Sequence, residues 1–165
     1  MILYPKLYVK RITDIDINYF KENNIKGIML DLDNTLYDFN KNYVKGLDKW
    51  IEDVKKEGIK ILILSNSNKE EKVKKVAQRI DAEYILFAMK PLTKGFKEGL
   101  KKLNLKPEEV AEIGDQVFTD VLGSNLSKIH SILVEPMDSK DYLITKIKRP
   151  LENCIINSYK RKRGM

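Results

Sequence analysis

Acidic side chains follow the first apolar run of the chain, Gly27-Ile-Met-Leu. Asp31 and Asp33 stand directly after it, and Thr35 comes two residues later. Side chains at i and i+2 lie on the same side of an extended chain, so both carboxylates can face one pocket. Carboxylates that are packed together repel unless a cation compensates, and a set of oxygen ligands alone favours Mg²⁺. The pair is therefore a candidate Mg²⁺ site, and by residue type Asp31 would be a nucleophile and Asp33 a general acid and base.

Further polar residues follow each later apolar run. Ser65 and Asn66 come after the second run, Lys90 after the third and Asp115 after the fourth, with Asp120 five residues beyond. In parallel sheets, ligands bind outside the carboxyl ends of the strands, where these residues would meet. Lys90 adds a fixed positive charge, which suits a phosphoryl group. Asp115 can join the acidic pair only if the first and fourth predicted strands are neighbours.

Each motif taken alone has a simpler explanation. Asp-x-Asp is common wherever a strand turns into a loop, and a single lysine is usually a solvated surface charge. An EF-hand calcium loop would need Gly at Leu36 and an acid at Asn42, so that alternative fails. A response-regulator receiver would place its acceptor Asp after the third strand, where Leu86-Phe-Ala-Met has none. The order of the motifs along successive strands carries the functional prediction.

Apolar runs that alternate with amphipathic stretches predict the fold. We expect an α/β domain, a doubly wound (Rossmann-like) parallel sheet of five strands with helices on both faces. Its predicted parts are an N-terminal arm over residues 1–26, the domain over 27–158 including a C-terminal helix over 139–158, and a basic tail over 159–165. One helix and one strand use up the 31 residues between Asp33 and Ser65, and another such pair the 24 before Lys90. No room remains for a cap domain, and an open site suits a large substrate.

Charge is unevenly distributed. The chain of 165 residues has a net charge of +7, of which residues 140–165 contribute +6. A basic end predicts an anionic partner, either phospholipid headgroups or nucleic acid, and a solvated tail is the equally simple alternative. A single cysteine excludes an internal disulfide, and no run reaches the ~20 apolar residues of a membrane span. We expect a cytoplasmic protein, with peripheral contact to the inner face of the membrane as an open alternative.

The ordered motifs resemble those of the haloacid-dehalogenase-like phosphatase superfamily: Asp31-Leu-Asp-Asn-Thr-Leu, Leu64-Ser65-Asn66, Lys90-Pro91, and Gly114-Asp115 through Asp120. The chain is more closely similar to the YqeG-type branch and to mitochondrial phosphatidylglycerophosphate phosphatases. Three stretches carry that likeness: Ala88-Met-Lys-Pro, Gly114-Asp-Gln-Val-Phe-Thr-Asp-Val-Leu-Gly-Ser-Asn125 and Thr145-Lys-Ile-Lys-Arg-Pro-Leu-Glu152.

The resemblance implies a Mg²⁺-dependent phosphomonoester phosphatase that works through an aspartyl-phosphate. Its metal ligands would be the Asp31 side chain, the Asp33 main-chain carbonyl and Asp115. Substrate contacts would come from Thr35, Ser65, Asn66 and Lys90, while Asp120 would orient Lys90 or a metal-bound water. The implied substrate is phosphatidylglycerophosphate at a membrane surface. Phosphoprotein or nucleic acid remains an alternative substrate, and a non-catalytic RNA- or ribosome-binding module an alternative function.

Overall fold

A six-stranded parallel sheet forms the centre of the computed structural model, which describes residues 1–138 and 143–165, without the side chains of 143–146. The strand order is β1-β6-β5-β2-β3-β4. The strands are β1 Leu7–Val9, β2 Gly27–Leu30, β3 Lys60–Leu64, β4 Glu83–Ile85, β5 Val110–Gly114 and β6 His130–Val134.

The predicted count of five strands was wrong by one. The additional strand is β1, which lies in the predicted N-terminal arm and pairs with β6 along one edge of the sheet. Three half-buried residues give too short a pattern to show a strand period, so only pairing with β6 reveals it.

Six α-helices in the described part of the chain cover the sheet: α1 Ile17–Glu22, α2 Leu47–Lys56, α3 Glu70–Ile80, α4 Thr93–Leu103, α5 Leu122–Leu126 and α6 Leu143–Arg163. A π-helical turn at Val117–Val121 precedes α5. The predicted C-terminal helix over 139–158 is longer than expected at its end, because α6 includes residues 159–163. Its predicted start at 139–142 lies outside the described residues. The residues predicted as a basic tail therefore belong mostly to this helix.

The position of β2 decides where the site forms. All four of its residues are buried, and it pairs with β3 on one side and β5 on the other. The chain passes from β2 to β3 and β4, and then crosses to the other side of β2 to form β5. This crossover is the switch point at which doubly wound sheets bind ligands. It brings together the carboxyl ends of β2, β3 and β5, which are followed by Asp31, Ser65 and Asp115.

Amphipathic helices bury their predicted faces against this sheet. Helix α2 turns Leu47, Trp50, Ile51 and Val54 inward. The Trp50 indole Nε1 donates a hydrogen bond to the carbonyl oxygen of Ile15 at 3.0 Å, which satisfies the polar atom of a core side chain. This bond joins the N-terminal segment to the main core, so the first strand and helix pack as part of the domain.

Helix α6 runs from the carboxyl edge of the sheet to its amino edge. Arg149 near its start contacts Asp115 after β5, whereas Lys162 and Arg163 share a cavity with Lys6 and His130, where β1 and β6 begin. A rise of about 1.5 Å per residue separates the two ends of this stretch by about 21 Å. Among the described residues, no helix has both the length and the apolar character that crossing a membrane requires.

Candidate active site

Lys90 lies at the centre of a buried cluster of carboxylates. Its Nζ is 2.9 Å from Asp31 Oδ1, 3.2 Å from Glu112 Oε1 and 2.7 Å from Asp120 Oδ1. Burial opposes the charged form of Lys90, but the surrounding carboxylates of Asp120, Asp31 and Glu112 outweigh it and hold the pKa well above its usual value. Lys90 is therefore a permanent cation in the floor of the site.

Asp31 occupies the first position after β2, where its backbone N–H donates to the carbonyl oxygen of Ile113 at 3.0 Å. Burial raises the pKa of its carboxyl group to about 7, with Lys90 opposing the shift and Asp120 and Asp33 adding to it. The ionised form of Asp31 is thus costly even with Lys90 beside it, and a further cation would favour that form.

Three side chains offer oxygen atoms to a common point. Asp31, Asp115 and Asp120 each have a carboxylate oxygen within 4.8 Å of the others, and all three are buried. Asp115 Oδ1 is buried without a hydrogen-bond partner among the described residues, while Oδ2 pairs with Arg149. An orphaned, buried acceptor is costly and calls for a cation or a donor. Burial also raises the pKa of Asp115 well above its usual range.

The formal charge of the residues around Lys90 and Asp115 also favours a bound cation. Five carboxylates outnumber two cations and leave three negative charges in excess; the group consists of Asp31, Glu112, Asp115, Asp120 and Glu152 with Lys90 and Arg149. Oxygen ligands with excess negative charge suit a hard divalent cation such as Mg²⁺. The residues that are present therefore fit the predicted metal.

Asp33 lies at the mouth of the site, outside that buried set. About a third of its side chain is exposed, and Lys72 Nζ from α3 lies 2.5 Å from Asp33 Oδ1. An accessible carboxylate near Asp31 can reach both a leaving group and a water molecule. Sequence reasoning missed Lys72, because nothing in the pattern of α3 distinguishes it from the neighbouring lysines.

Asn66 and Ser65 connect the second motif to the third. The Asn66 side chain donates from Nδ2 to the Lys90 carbonyl oxygen at 3.1 Å and accepts from the Lys90 N–H at 2.7 Å. Asn66 thereby fixes the backbone that carries Lys90. Ser65 is buried at the end of β3 and its hydroxyl accepts from the Ser67 N–H at 3.1 Å. Both residues line the site cavity, and their contact with substrate remains a prediction.

Thr35 is buried in the segment that follows β2. Only 1% of the residue is exposed, and Oγ1 has no hydrogen-bond partner among the described residues. Thr35 is not part of the cavity lining that the structure describes. Its predicted role in substrate binding therefore gains no support from this position.

The π-helical turn after β5 places Asp120 against Lys90. The Gln116 N–H donates to Asp120 Oδ2 at 2.9 Å, which leaves Oδ1 directed at the ammonium group. A Cβ atom at Gly114 would overlap the Asp120 carboxyl group. Glycine at this position is therefore required for the close approach of the turn to β5.

Helix α6 contributes two residues that sequence reasoning did not assign to the site. Arg149 pairs with the Asp115 carboxylate and donates from Nη1 to the Asp115 carbonyl oxygen at 2.8 Å. Glu152 lies 3.1 Å from Arg149 Nη1 and accepts the Phe118 N–H at 3.0 Å. The helix thus holds both Asp115 and the π-helical turn in place. Sequence analysis could not detect these contacts, because Arg149 and Glu152 are far from Asp115 along the chain.

Glu112 is the other missed residue, and it did leave a signal. It is an acid inside the strand β5 and is fully buried, with Oε2 3.2 Å from the Ser124 hydroxyl and Oε1 facing Lys90. Burial raises the pKa of Glu112 well above its usual value. A charged residue in the middle of a strand that is buried on both faces indicates a buried partner, here Lys90.

Two adjoining cavities open at this edge of the sheet. The first, of about 420 Å³, is lined by Asp31, Asp33, Ser65, Lys69, Phe87, Lys90 and Lys148 among others. The second, of about 370 Å³, shares Asp33 and Lys69 with it and adds Phe39, Lys41 and Lys72. The larger cavity of about 780 Å³ lies at the opposite, amino edge, away from the carboxylates.

Solved structures share this fold at low sequence identity. NagD from E. coli K-12 aligns with a TM-score of 0.57 at 13% identity, covering 74% of this chain and 91% of that one. The cobalt-bound deoxy-D-mannose-octulosonate 8-phosphate phosphatase of Haemophilus influenzae aligns with a TM-score of 0.54 at 19% identity, covering 68% and 69%. The fold is that of a haloacid-dehalogenase-like protein.

Sequence comparison identifies the family. The profile of the family described as "Mitochondrial PGP phosphatase" matches residues 1–137. The "Probable phosphatase YqeG" of Bacillus subtilis is 42% identical over 159 residues, which cover 96% of this chain and 92% of that protein. The chain belongs to this family and is a phosphatase of the YqeG type.

Proposed function

We propose that this phosphatase is Mg²⁺-dependent, forms an aspartyl-phosphate on Asp31 and hydrolyses phosphatidylglycerophosphate. One observation carries the proposal: Asp31 Oδ1 is held 2.9 Å from Lys90 Nζ in the floor of an accessible cavity, beside the orphaned oxygen of Asp115. A carboxylate in this position can attack phosphorus, because the Lys90 ammonium group and a cation bound at Asp115 would balance the negative charge of the phosphoryl group.

The metal would be held by Asp31, by Asp115 and by the main-chain carbonyl of Asp33, with Asp120 as the third side chain of the acidic set. When bound, Mg²⁺ would offset the excess negative charge of this set and neutralise charge that develops on the phosphoryl oxygens. Burial of Asp31 and Asp115 disfavours their charged forms, so metal binding would make their ionisation favourable.

The chain's own residues account for both halves of the reaction. An Asp31 oxygen attacks phosphorus while the bond to the leaving oxygen breaks, and Asp33 gives that oxygen its proton. Asp33 then takes a proton from water as the water oxygen attacks phosphorus, which releases phosphate and restores the Asp31 carboxylate. Ser65 and Lys90 would contact the equatorial oxygens of the phosphoryl group.

The site is open to solvent because no additional domain is inserted between Asp31 and Lys90, and this favours a large substrate. Between Asp31 and Lys90 the chain forms α2, β3, α3 and β4, joined by loops that carry only two isolated bridges near Tyr37. The family description names PGP, and a lipid headgroup that projects from a bilayer needs such an open mouth. We place the protein in the cytoplasm, against the inner face of the membrane.

The test is Mg²⁺-dependent phosphate release from phosphatidylglycerophosphate in mixed micelles. Phosphopeptides, 5′-phosphorylated oligonucleotides and soluble phosphomonoesters are the competing substrates. Asp31→Asn should reduce release to background, whereas Asp53→Asn, which alters an acid on the surface of α2, should leave it unchanged. Excess chelator should abolish activity and added Mg²⁺ should restore it. Full activity of Asp31→Asn would refute the nucleophile, and a preference for peptide or oligonucleotide would refute the lipid substrate.

A further inference from the structure

Exposed apolar side chains concentrate around the mouth of the site. Of the ten large hydrophobic side chains that are exposed among the described residues, two line the cavities at the carboxyl edge of the sheet and four stand within two residues of Lys90, Lys148 or Arg149. We call these six the apolar rim: Phe39, Phe87, Met89, Leu92, Ile147 and Leu151. The other four are three residues of the chain termini and Leu126, which lies at the amino edge.

Three members of the rim occupy positions that their residue types do not favour. Phe87 has a φ of +47°, in the left-handed region that strains a bulky side chain, and the residue is 60% exposed. Met89 has a φ of +52°. Leu92 is the N-cap of α4, where it makes no side-chain cap and is 59% exposed. Such departures from local preference, at exposed positions beside the site, point to a functional constraint.

Lysines surround the same opening. Lys69 and Lys148 line the cavity that contains Asp31, and Lys41 lines the adjoining one, whose acids are Asp33 and Asp38. Apolar side chains that project between lysines match the surface of an anionic bilayer, which takes aromatic and aliphatic groups at headgroup depth and attracts cations.

We propose that the apolar rim and these lysines dock the protein on an anionic phospholipid surface, with the site cavity facing the headgroups. The inference rests on the proposed lipid substrate and adds the orientation of the enzyme. It also replaces the expected contact through the basic C-terminus. Lys162 and Arg163 lie at the opposite edge of the sheet, so a membrane bound there would face away from Asp31.

A double variant tests the rim without weakening the fold. Phe87→Asn places a residue that tolerates positive φ at the strained position, and Leu92→Ser supplies the missing cap of α4. The variant should therefore unfold thermally at or above the temperature of the parent protein. All variants are made in an Asp31→Asn background, so that lipid turnover plays no part in binding.

Binding is measured by co-sedimentation with vesicles of phosphatidylglycerol and phosphatidylcholine in about 0.15 M salt, where long-range attraction is screened. We expect the double variant to need about tenfold more lipid for half-binding, since it no longer buries two large apolar side chains. Leu126→Ser, a matched exposed leucine at the amino edge, should bind as the parent does. Arg161→Gln with Lys162→Gln should also bind unchanged.

Three results would overturn the proposal: a parent protein that does not bind these vesicles, a double variant that binds like the parent, or a loss of binding confined to the Arg161 and Lys162 variant. Phosphate release from phosphatidylglycerophosphate in detergent micelles by the wild-type chain is measured separately, without vesicles. Failure of that assay would count against the proposed function alone, and failure of vesicle binding against the docking surface alone.

Discussion

Arg149→Met tests whether α6 holds the acidic set together. The Arg149 side chain is 14% exposed and pairs with Asp115 and Glu152, whose side chains are 0% and 1% exposed. Removing one partner of a buried ion pair costs about 3–5 kcal/mol, because the remaining charge is left uncompensated. We expect the free energy of unfolding to fall by about that amount, a large share of the roughly 5–15 kcal/mol of an ordinary domain.

Urea unfolding at neutral pH in the presence of chelator measures this loss. Added Mg²⁺ should recover part of it, since a bound cation would compensate Asp115 in place of the guanidinium group. A second change, Glu152→Gln, should also recover part, because glutamine removes a buried charge and can still accept the Phe118 N–H.

Arg79→Met is the matched control, because Arg79 pairs with Asp48 on the surface, where both side chains are well exposed. Such a pair contributes about 0–1 kcal/mol. If Arg149→Met costs no more than Arg79→Met, the ion pair with α6 does not stabilise the acidic set and the reasoning fails.

Three more outcomes follow from the same geometry. In metal-free protein, the free energy of unfolding should fall as pH rises from about 4 to about 7, since folded Asp31 has a pKa of about 7 against 3.8 in the unfolded chain. Urea titrations with and without Mg²⁺ measure this change. A free energy of unfolding that rises with pH in the metal-free protein would contradict the prediction. Gly114→Ala should displace Asp120, and this should lower kcat strongly while the unfolding temperature changes little. Activity assays measure the first effect and calorimetry the second. Lys72→Met should lower kcat about tenfold by freeing the Asp33 carboxylate, with the Mg²⁺-dependent thermal shift retained; unchanged kcat would exclude a positioning role.

Periodicity and motif order predicted the central fold because both are local properties. The helix around Trp50 and the strand that ends at Asp31 follow from residue spacing alone, and the parallel sheet follows from their alternation. The first strand escaped prediction, since Leu7–Val9 acquires its conformation from the neighbouring β6. Sequence analysis likewise ended the C-terminal helix at 158, five residues before Arg163.

Chemistry-bearing residues divide in the same way. Asp31, Asp33 and Lys90 could be named from the sequence, because each stands at the end of an apolar run and its type suits phosphoryl chemistry. Whether Asp115 could join them depended on β2 and β5 being neighbours, which no local signal encodes.

Tertiary structure alone decided what surrounds those residues. Arg149 contacts Asp115, 34 residues away, and Lys72 contacts Asp33, 39 residues away. No local sequence pattern shows that these residues will pair, because only folding brings them together. Folding also turned the basic end of α6 away from the site and gathered the apolar rim around it. Charge and exposure are properties of surfaces, and a surface exists only once the chain has packed.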